Sequence, residues 1–504
     1  MYFIFLAIYI SMLIMVGFFS RKKVNGISDF FLGGRSINPW LSAFSYGTAY
    51  FSAVVFIGYA GKMGWGFGLS ALWIVIGNTL IGSFLAWHIL GPRTREITKR
   101  LNVSTMPEFI EARYQSRALK IFTATIIFVF LIPYSASVYK GLGYLFEEVF
   151  GLSNIAIILI MACFTGLYLI LGGFVASTIA DFIQAIVMII GVIFMLFYVI
   201  RHPIVGGVGN AIETLKAIDP QLVKPIGPQG LLTTISMVVL TSLGSWGLPQ
   251  MVHKFYTIRD EKSIICAKWV SSGFALLITF GAYFTGILGR LFFPNNMPMT
   301  NGVPNPDLVV PQVLVEALPS VALGVILILV LSASMSTLAS LVLASSSAIV
   351  IDLIKGVFFT NMKQEHLTLL MRIFCLAFVV LSFLLAVMPN PVYALMALSW
   401  GAVSGSLMAP YVLGLYWKKV TKTGVWAGII TALGLVIGGA LYTGVDSEWT
   451  AVFGACAIVV PLIVIPIVST FTKSYEEDHI SRFYNISTRI TDVKSKQLVM
   501  DEIK

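Results

Sequence analysis

The chain has 504 residues, of which 58% are hydrophobic and only 11% charged. A soluble chain carries about 25% charged residues, so the charge here cannot cover a water-facing surface, and a large soluble enzyme is excluded. The 44 glycines and 20 prolines follow no triplet period, and the net charge of +10 reads as the cytoplasmic excess of a membrane protein rather than a nucleic-acid site.

A spanning helix needs about 20 predominantly apolar residues. Thirteen stretches qualify: 2–19, 38–60, 70–91, 120–146, 153–172, 178–200, 229–252, 268–293, 319–351, 368–388, 391–416, 423–443 and 449–471. The first ends in Arg21-Lys22-Lys23 and reads as a retained helix rather than a cleaved signal. The ninth is long for one crossing and predicts a tilted or extended helix. Only 201–228, 294–318 and the tail 472–504 are long connections, and none holds a soluble domain of ordinary size. Residues 1–471 are therefore expected to form one transmembrane domain, followed by a tail. If the first helix starts outside, 27 of the 33 Lys and Arg residues fall on the inward side. That bias places the N-terminus outside and the C-terminus in the cytoplasm of a cell membrane, which an odd number of spans requires. Cys163, Cys266, Cys375 and Cys456 show no pairing or metal spacing and are expected to be small buried hydrophobes.

Four spans depart from plain Leu/Ile/Val/Phe runs. The second, Ser42 to Gly61, reads SAFSYGTAYFSAVVFIGYAG, with small and hydroxyl residues about its midpoint. In the sixth, Asp181 is either an intramembrane carboxylate, functional by default, or a helix cap at the cytoplasmic interface. The seventh contains LTSLGSWGLPQ from Leu240 to Gln250; Pro249 lacks a backbone donor, so the helix should open there. Counted from the second span, the two interrupted helices are the first and sixth of ten. Two five-helix halves, about 38–200 and 229–416, with matching broken helices are the signature of an inverted-repeat secondary transporter, whose sites lie at the breaks. Ordinary Gly/Ser helix packing is the alternative for either segment alone. The ninth span carries Ser332, Ser334, Ser336, Thr337, Ser340 and Ser345 to Ser347. Ser336 and Ser340 share a helical face with Ala333, and Ser336 and Thr337 offer two oxygens at one level. Neutral oxygens converging with broken-helix carbonyls suit Na⁺; the alternative is that these hydroxyls bond back to their own helix. Lys140 and Arg290 lie near outward helix ends and are expected to snorkel, and His88 to sit at the interface.

Four segments together resemble the sodium/solute symporter family: Asp29-Phe30-Phe31-Leu32-Gly33-Gly34-Arg35-Ser36; Gly172 to Gln184; Gly247-Leu248-Pro249-Gln250 with Arg259-Asp260-Glu261-Lys262; and Ser334 to Asp352. The likeness runs over about residues 1–470. It implies an all-α leucine-transporter-type fold, with one helix before the two five-helix repeats and two after. Tyr134, within Phe130 to Ser137, resembles the sodium/proline branch, whereas Ala112 to Arg117 and Asp219 to Val223 resemble the sodium/pantothenate branch.

The resemblance implies a main sodium site formed by carbonyls of Thr48, Phe51 and Ala333 with the hydroxyls of Ser336 and Thr337. A second sodium site of some members would fall on Asp181, Ser336, Ala339 and Ser340, with Ala339 standing where that pattern has a serine. Implied substrate contacts are Tyr50, Ser52, Val55, Phe56, Tyr134, Ser245 and Trp246; the proline branch has an aspartate where Tyr50 stands. The expected function is Na⁺-coupled uptake of a small organic solute by alternating access. Proline or a similar amino acid is the first choice, and pantothenate or another monocarboxylate the alternative. The expected partners are the solute, the sodium ion and the lipid bilayer, with no organic cofactor and no nucleic acid, in a chain that works as a monomer. An ion channel would need a filter loop, and none is visible. An intramembrane enzyme would need a nucleophile–base or metal grouping, against one buried aspartate and scattered histidines.

Overall fold

The structure, a computed structural model, describes residues 2–20, 35–300, 302–359, 362–445, 447 and 449–484. The Asp29–Gly34 part of the opening motif and the tail beyond residue 484 lie outside the described residues. Apart from one two-stranded ribbon, Met299–Thr300 with Val303–Pro304, the regular structure is helical.

Local sequence sets where the helices begin. Asn38 accepts from the Trp40 N–H, with Pro39 in the first turn of Pro39–Tyr50. Thr105, Ser116, Asp260 and Thr421 likewise cap the helices that follow them. Each side-chain oxygen satisfies an N–H that the first turn leaves without a helical partner.

Among the described residues, ten helices are long and apolar enough to cross a membrane, and Leu6–Val16 and Asn154–Gly166 are shorter apolar helices. This differs from the thirteen stretches read from hydropathy. The stretches at 153–172 and 178–200 fall within one helix, Asn154–Arg201. The helical run Val54–Leu101 absorbs the end of the second stretch and all of the third, and it turns at Gly68, where φ is 58°. Hydropathy divides a chain at polar residues, whereas a backbone divides only where its hydrogen bonds stop.

The outer faces match a lipid solvent. Ile186, Ile190, Ile193 and Phe197 form an exposed apolar stripe at helical spacing, as do Leu369, Ile373, Leu376 and Val380. Of the four cysteines only Cys375 is buried; Cys163 is exposed and Cys266 and Cys456 are intermediate, so three of them face outward rather than into the core. Lys140 does not snorkel: it is buried and donates to the Met388 carbonyl. Arg290 sits over the Trp65 ring, 3.6 Å from its centroid. His88 stacks on Phe84.

Inside, helices approach to backbone contact where side chains vanish. Gly64 on Val54–Gly64 faces Gly286 on Glu261–Phe292, so that a Cβ on Gly64 would lie 2.6 Å from the Gly286 Cα. Small residues permit such crossings in membranes, where dispersion rather than water exclusion joins helices.

One end of the bundle gathers Arg93, Arg100, Arg113 and Lys418 around Tyr416, Phe483 and Tyr484. There Arg113 is completely buried and donates to the carbonyls of Gly414, Trp417 and Lys418 at 3.1–3.3 Å. These carbonyls close the helix Val392–Tyr416, whose negative end a cation stabilises. The short helix Glu477–Tyr484 lies over this arrangement, with the Tyr484 hydroxyl donating to the Gly414 carbonyl at 2.6 Å and His479 Nε2 2.9 Å from the Arg113 carbonyl. Arg113→Ala strands these acceptors and is expected to cost about 3 kcal/mol or more, seen as a lower Tm of the purified protein and more rapid proteolysis of the tail.

Candidate ion and solute site

The second span breaks where its sequence turns to small and hydroxyl residues. Pro39–Tyr50 ends at Phe51, whose backbone is extended (φ −115°, ψ 110°), and Val54–Gly64 begins after Ser52 and Ala53. Ser52 serves the new half-helix, its Oγ accepting from the Val54 N–H at 3.2 Å. The seventh span breaks in the same manner: Gly230–Ser242 tightens into the 3₁₀ turn Leu243–Gly247, Leu248 is extended, and Pro249–Thr257 restarts with proline at its first position. Proline ends the hydrogen-bond ladder yet is preorganised to start the next helix.

The serine-rich helix Ser320–Ser347 lies against the first break. Ser336 Oγ donates to Asp181 Oδ1 at 2.7 Å and lies 2.8 Å from Thr48 Oγ1. Thr337 Oγ1 donates to the Thr48 carbonyl at 3.2 Å. Four of the named ion-site residues are thus brought together, and none of their side chains is solvated. The Ser336 and Thr337 hydroxyls are aimed across the helix interface, whereas Ser334 and Ser347 bond back to the Val330 and Ala344 carbonyls of their own helix. Ala333 and Phe51 are fully buried on the two facing helices. Asp181 is a buried group in mid-helix, not a cap. Of the remaining second-site residues, Ser340 Oγ is buried with no hydrogen-bond partner in the protein, and Ala339 offers only a methyl group.

Beside this cluster an aromatic box surrounds the break. Tyr50 stacks on Phe51 at 4.3 Å and on Trp400 at 6.1 Å, and Tyr134 meets Trp400 edge-on at 5.7 Å. Tyr50 Oη donates to the Thr241 carbonyl at 2.6 Å, linking the two broken spans. Ser245 Oγ donates to the Ser242 carbonyl at 2.9 Å, and Trp246 Nε1 to the Ile81 carbonyl at 2.9 Å. Ser404 packs directly on Gly247 and its hydroxyl has no partner. Val55 and Phe56 are buried in the first turn beyond the first break. Two cavities lie nearby. One is lined by Thr105, Gln250, His253, Lys254, Ser340 and Asp352. The other is lined by Lys62, Trp65, Gln229, Thr233, Met297 and Tyr393.

Residues 30–432 match the profile of the sodium:solute symporter family. The chain belongs to that family. The symporter is 30% identical to the high-affinity proline transporter PutP of Bacillus subtilis (strain 168), over 84% of its own length and 89% of the relative's. It is 29% identical to the osmoregulated proline transporter OpuE of the same organism, over 86% and 87%. It is also 29% identical to a sodium/proline symporter of Staphylococcus aureus (strain bovine RF122 / ET3-1), over 94% and 93%. Among solved structures, a Na⁺-coupled sialic acid symporter in a substrate-bound outward-open state matches with a TM-score of 0.76 at 16% identity, covering 94% of this chain and 98% of that one. Mhp1, a nucleobase-cation-symport-1 family transporter, matches in a closed conformation at 0.52 and 13%, covering 90% and 97%. The protein is a multi-pass, nearly all-helical membrane transporter with the fold of these symporters, and its coupling ion is Na⁺.

Sequence reasoning missed four side chains of the site. By sequence Lys254 is one of the 27 inward positive charges, yet it is 2% exposed, its Nζ donates to Ser45 Oγ at 2.7 Å and lies 3.8 Å from Asp181 Oδ2. Ser45 in turn donates to Asp181. A sodium ion about 4 Å from that ammonium would meet like-charge repulsion of about 4 kcal/mol at an effective dielectric of about 20. Trp400 and Asn78 were passed over as ordinary span residues; Asn78 Oδ1 accepts from Ser242 Oγ at 2.9 Å. The signal for Lys254 was its place only five residues after the helix-breaking proline, inside the segment Gln250 to Tyr256.

The end opposite the basic one is closed by Asp307, outside the spans. Its Oδ2 accepts from the Val392 N–H at 3.1 Å, and Lys62 lies 3.3 Å over the adjoining Tyr393 ring. Burial pushes the Asp307 carboxyl up from 3.8 to about 6, opposed by the Val392 N–H and the charges of Lys140 and Lys62. The folded chain therefore holds this proton more tightly than the unfolded chain. The contribution is complete below about pH 4 and is lost as pH rises through about 6, a change on the order of 3 kcal/mol. Asp307→Asn keeps the acceptor and removes the charge. It is expected to raise Tm at pH 7.5 and to flatten its dependence between pH 4 and 7, as measured by thermal denaturation across that range.

Proposed function

We propose that this symporter takes up proline, or an amino acid of similar size, with Na⁺ by alternating access. The carrying observation is the meeting of the Ser336 and Thr337 hydroxyls with Thr48 at the first helix break, beside Asp181. Sodium would sit among the carbonyls of Thr48, Phe51 and Ala333 and those two hydroxyls, a set of hard neutral oxygens suited to a cation that prefers oxygen ligands. The solute would sit in the aromatic box, against Tyr50, Ser52, Val55, Phe56, Tyr134, Ser245 and Trp246. Its apolar ring or chain would lie on the rings, and its charged ends on the dipoles of the broken helices. The proline transporters among the relatives support the solute class.

Because sodium would bind the first broken helix while the solute binds the same break, each ligand raises the affinity of the other by one factor. The two nearby cavities are read as the outward and inward approaches to one site. The basic end is assigned to the cytoplasm, so that the N-terminus lies outside and the C-terminus inside a plasma membrane. A transmembrane potential then contributes about 2.3 kcal/mol per charge per 100 mV toward uptake. The arrangement is read as one helix, repeats at about 38–200 and 229–416, and two further helices within residues 1–471, ahead of the tail 472–504. A monomer suffices, since both breaks and the serine-rich helix belong to one chain. The segment resembling the pantothenate branch, Ala112 to Arg117, is engaged otherwise, with Arg113 bonded to carbonyls about four to five helical turns from Trp400.

The test is uptake of radiolabelled L-proline into proteoliposomes under an inward Na⁺ gradient, against choline, with unlabelled pantothenate, short carboxylates and other amino acids as competitors. Saturable, Na⁺-dependent, electrogenic uptake is expected. Equal uptake in choline sinks the reading, and competition by pantothenate alone replaces the solute.

A further inference from the structure

Asp181 and Ser336 hold a position where a second cation could sit, yet the surroundings depart from what a sodium ion needs. One carboxylate oxygen is taken by Ser336 and the other by Ser45, and Lys254 reaches both Ser45 and Asp181 from the half-helix Pro249–Thr257. Ala339 supplies no oxygen on the facing helix, and Ser340 Oγ is left without a protein partner. Hard-cation sites are built from several converging oxygens, and a free cation is disfavoured next to an ammonium already paired with the same carboxylate.

We infer that the Lys254 ammonium is a tethered cation that takes the place of a second sodium ion beside Asp181, so that this symporter binds one sodium per cycle. The inference rests on the sodium-coupled reading above and deepens it. It also gives the lysine a place in coupling. Lys254 lies beyond the second break, Ser45 before the first, and Asp181 on a third helix, so the pair ties both broken spans to Asn154–Arg201 through a charge that never leaves the protein. Only the ion at Thr48, Ser336 and Thr337 then comes and goes.

The experiment is equilibrium binding of ²²Na⁺ to the purified full-length protein, which needs no knowledge of the solute. Wild type is expected to bind one ion per chain with a Hill coefficient near one. Lys254→Ala with Ala339→Ser frees the carboxylate and adds an oxygen, and is expected to bind two; Lys254→Arg and Ala339→Ser alone are expected to stay at one. A purely structural lysine would alter expression or Tm without changing the count. Two ions on the wild type overturn the inference and leave symport standing. No sodium binding at all overturns symport and the inference together. A double variant that folds and still binds one ion overturns the inference, and if that variant does not fold, the wild-type count decides alone.

Discussion

Ser336→Ala combined with Thr337→Ala is expected to raise the sodium concentration for half-maximal uptake by about 10²-fold or more. Each hydroxyl is a buried ligand-grade oxygen, and hydrogen-bond partners of charged groups are worth about 1.5–3 kcal/mol each, partly recovered if water enters the gap. Solute affinity measured at saturating sodium is expected to change far less, because neither hydroxyl reaches the aromatic box. At low sodium the apparent solute affinity falls as well, through the reciprocity of coupling. Sodium titrations of uptake at fixed proline, and the converse, separate these effects. An unchanged sodium requirement in a folded double variant would falsify the ion-site assignment.

The second large effect is expected at the glycine crossing. A Cβ on Gly286 would fall on the carbonyl of Ala60, and one on Gly64 would meet the Gly286 backbone. Neither obstacle is a side chain that can swing aside. Gly286→Val should therefore prevent the helices Val54–Gly64 and Glu261–Phe292 from closing, with loss of monodisperse protein on size-exclusion chromatography and loss of uptake. Gly434→Ala is the matched control: no atom lies within 4 Å of the added carbon, so expression and Tm should hold. Equal tolerance at both positions would show that the crossing is looser than it stands here.

Much of this architecture was legible in the residues. Pro249 and the small-residue run before it predicted the second break, which falls one residue earlier at Leu248, because proline starts the new half-helix rather than ending the old one. The density of hydroxyls from Ser332 to Ser347 singled out the helix of the proposed ion site, and Ser336 and Thr337 face Thr48. What the residues could not reveal depends on distance in space. Lys254 reads as one more positive charge near a span end, and only the fold carries it to Ser45, 209 positions away. Trp400 joins the aromatic box around the first break in the same way: an aromatic in an apolar span has no local signature until its neighbours arrive. Arg113 shows the converse, since a charge that resembles a branch-specific marker is spent on closing a helix end.

The divided second span also bears on how the protein is made. Twelve residues at 1.5 Å each give Pro39–Tyr50 a length of about 18 Å, well short of a hydrocarbon layer of about 30 Å. Its Ser45 and Thr48 are satisfied by Asp181, Lys254 and Ser336, the last of which lies 288 positions downstream of Thr48. During synthesis that early segment emerges long before its polar groups have partners, and lipid offers them none. Until the partner helices are made, the Ser45 and Thr48 hydroxyls can bond only back along their own helix, so the polar contacts of this span form out of chain order.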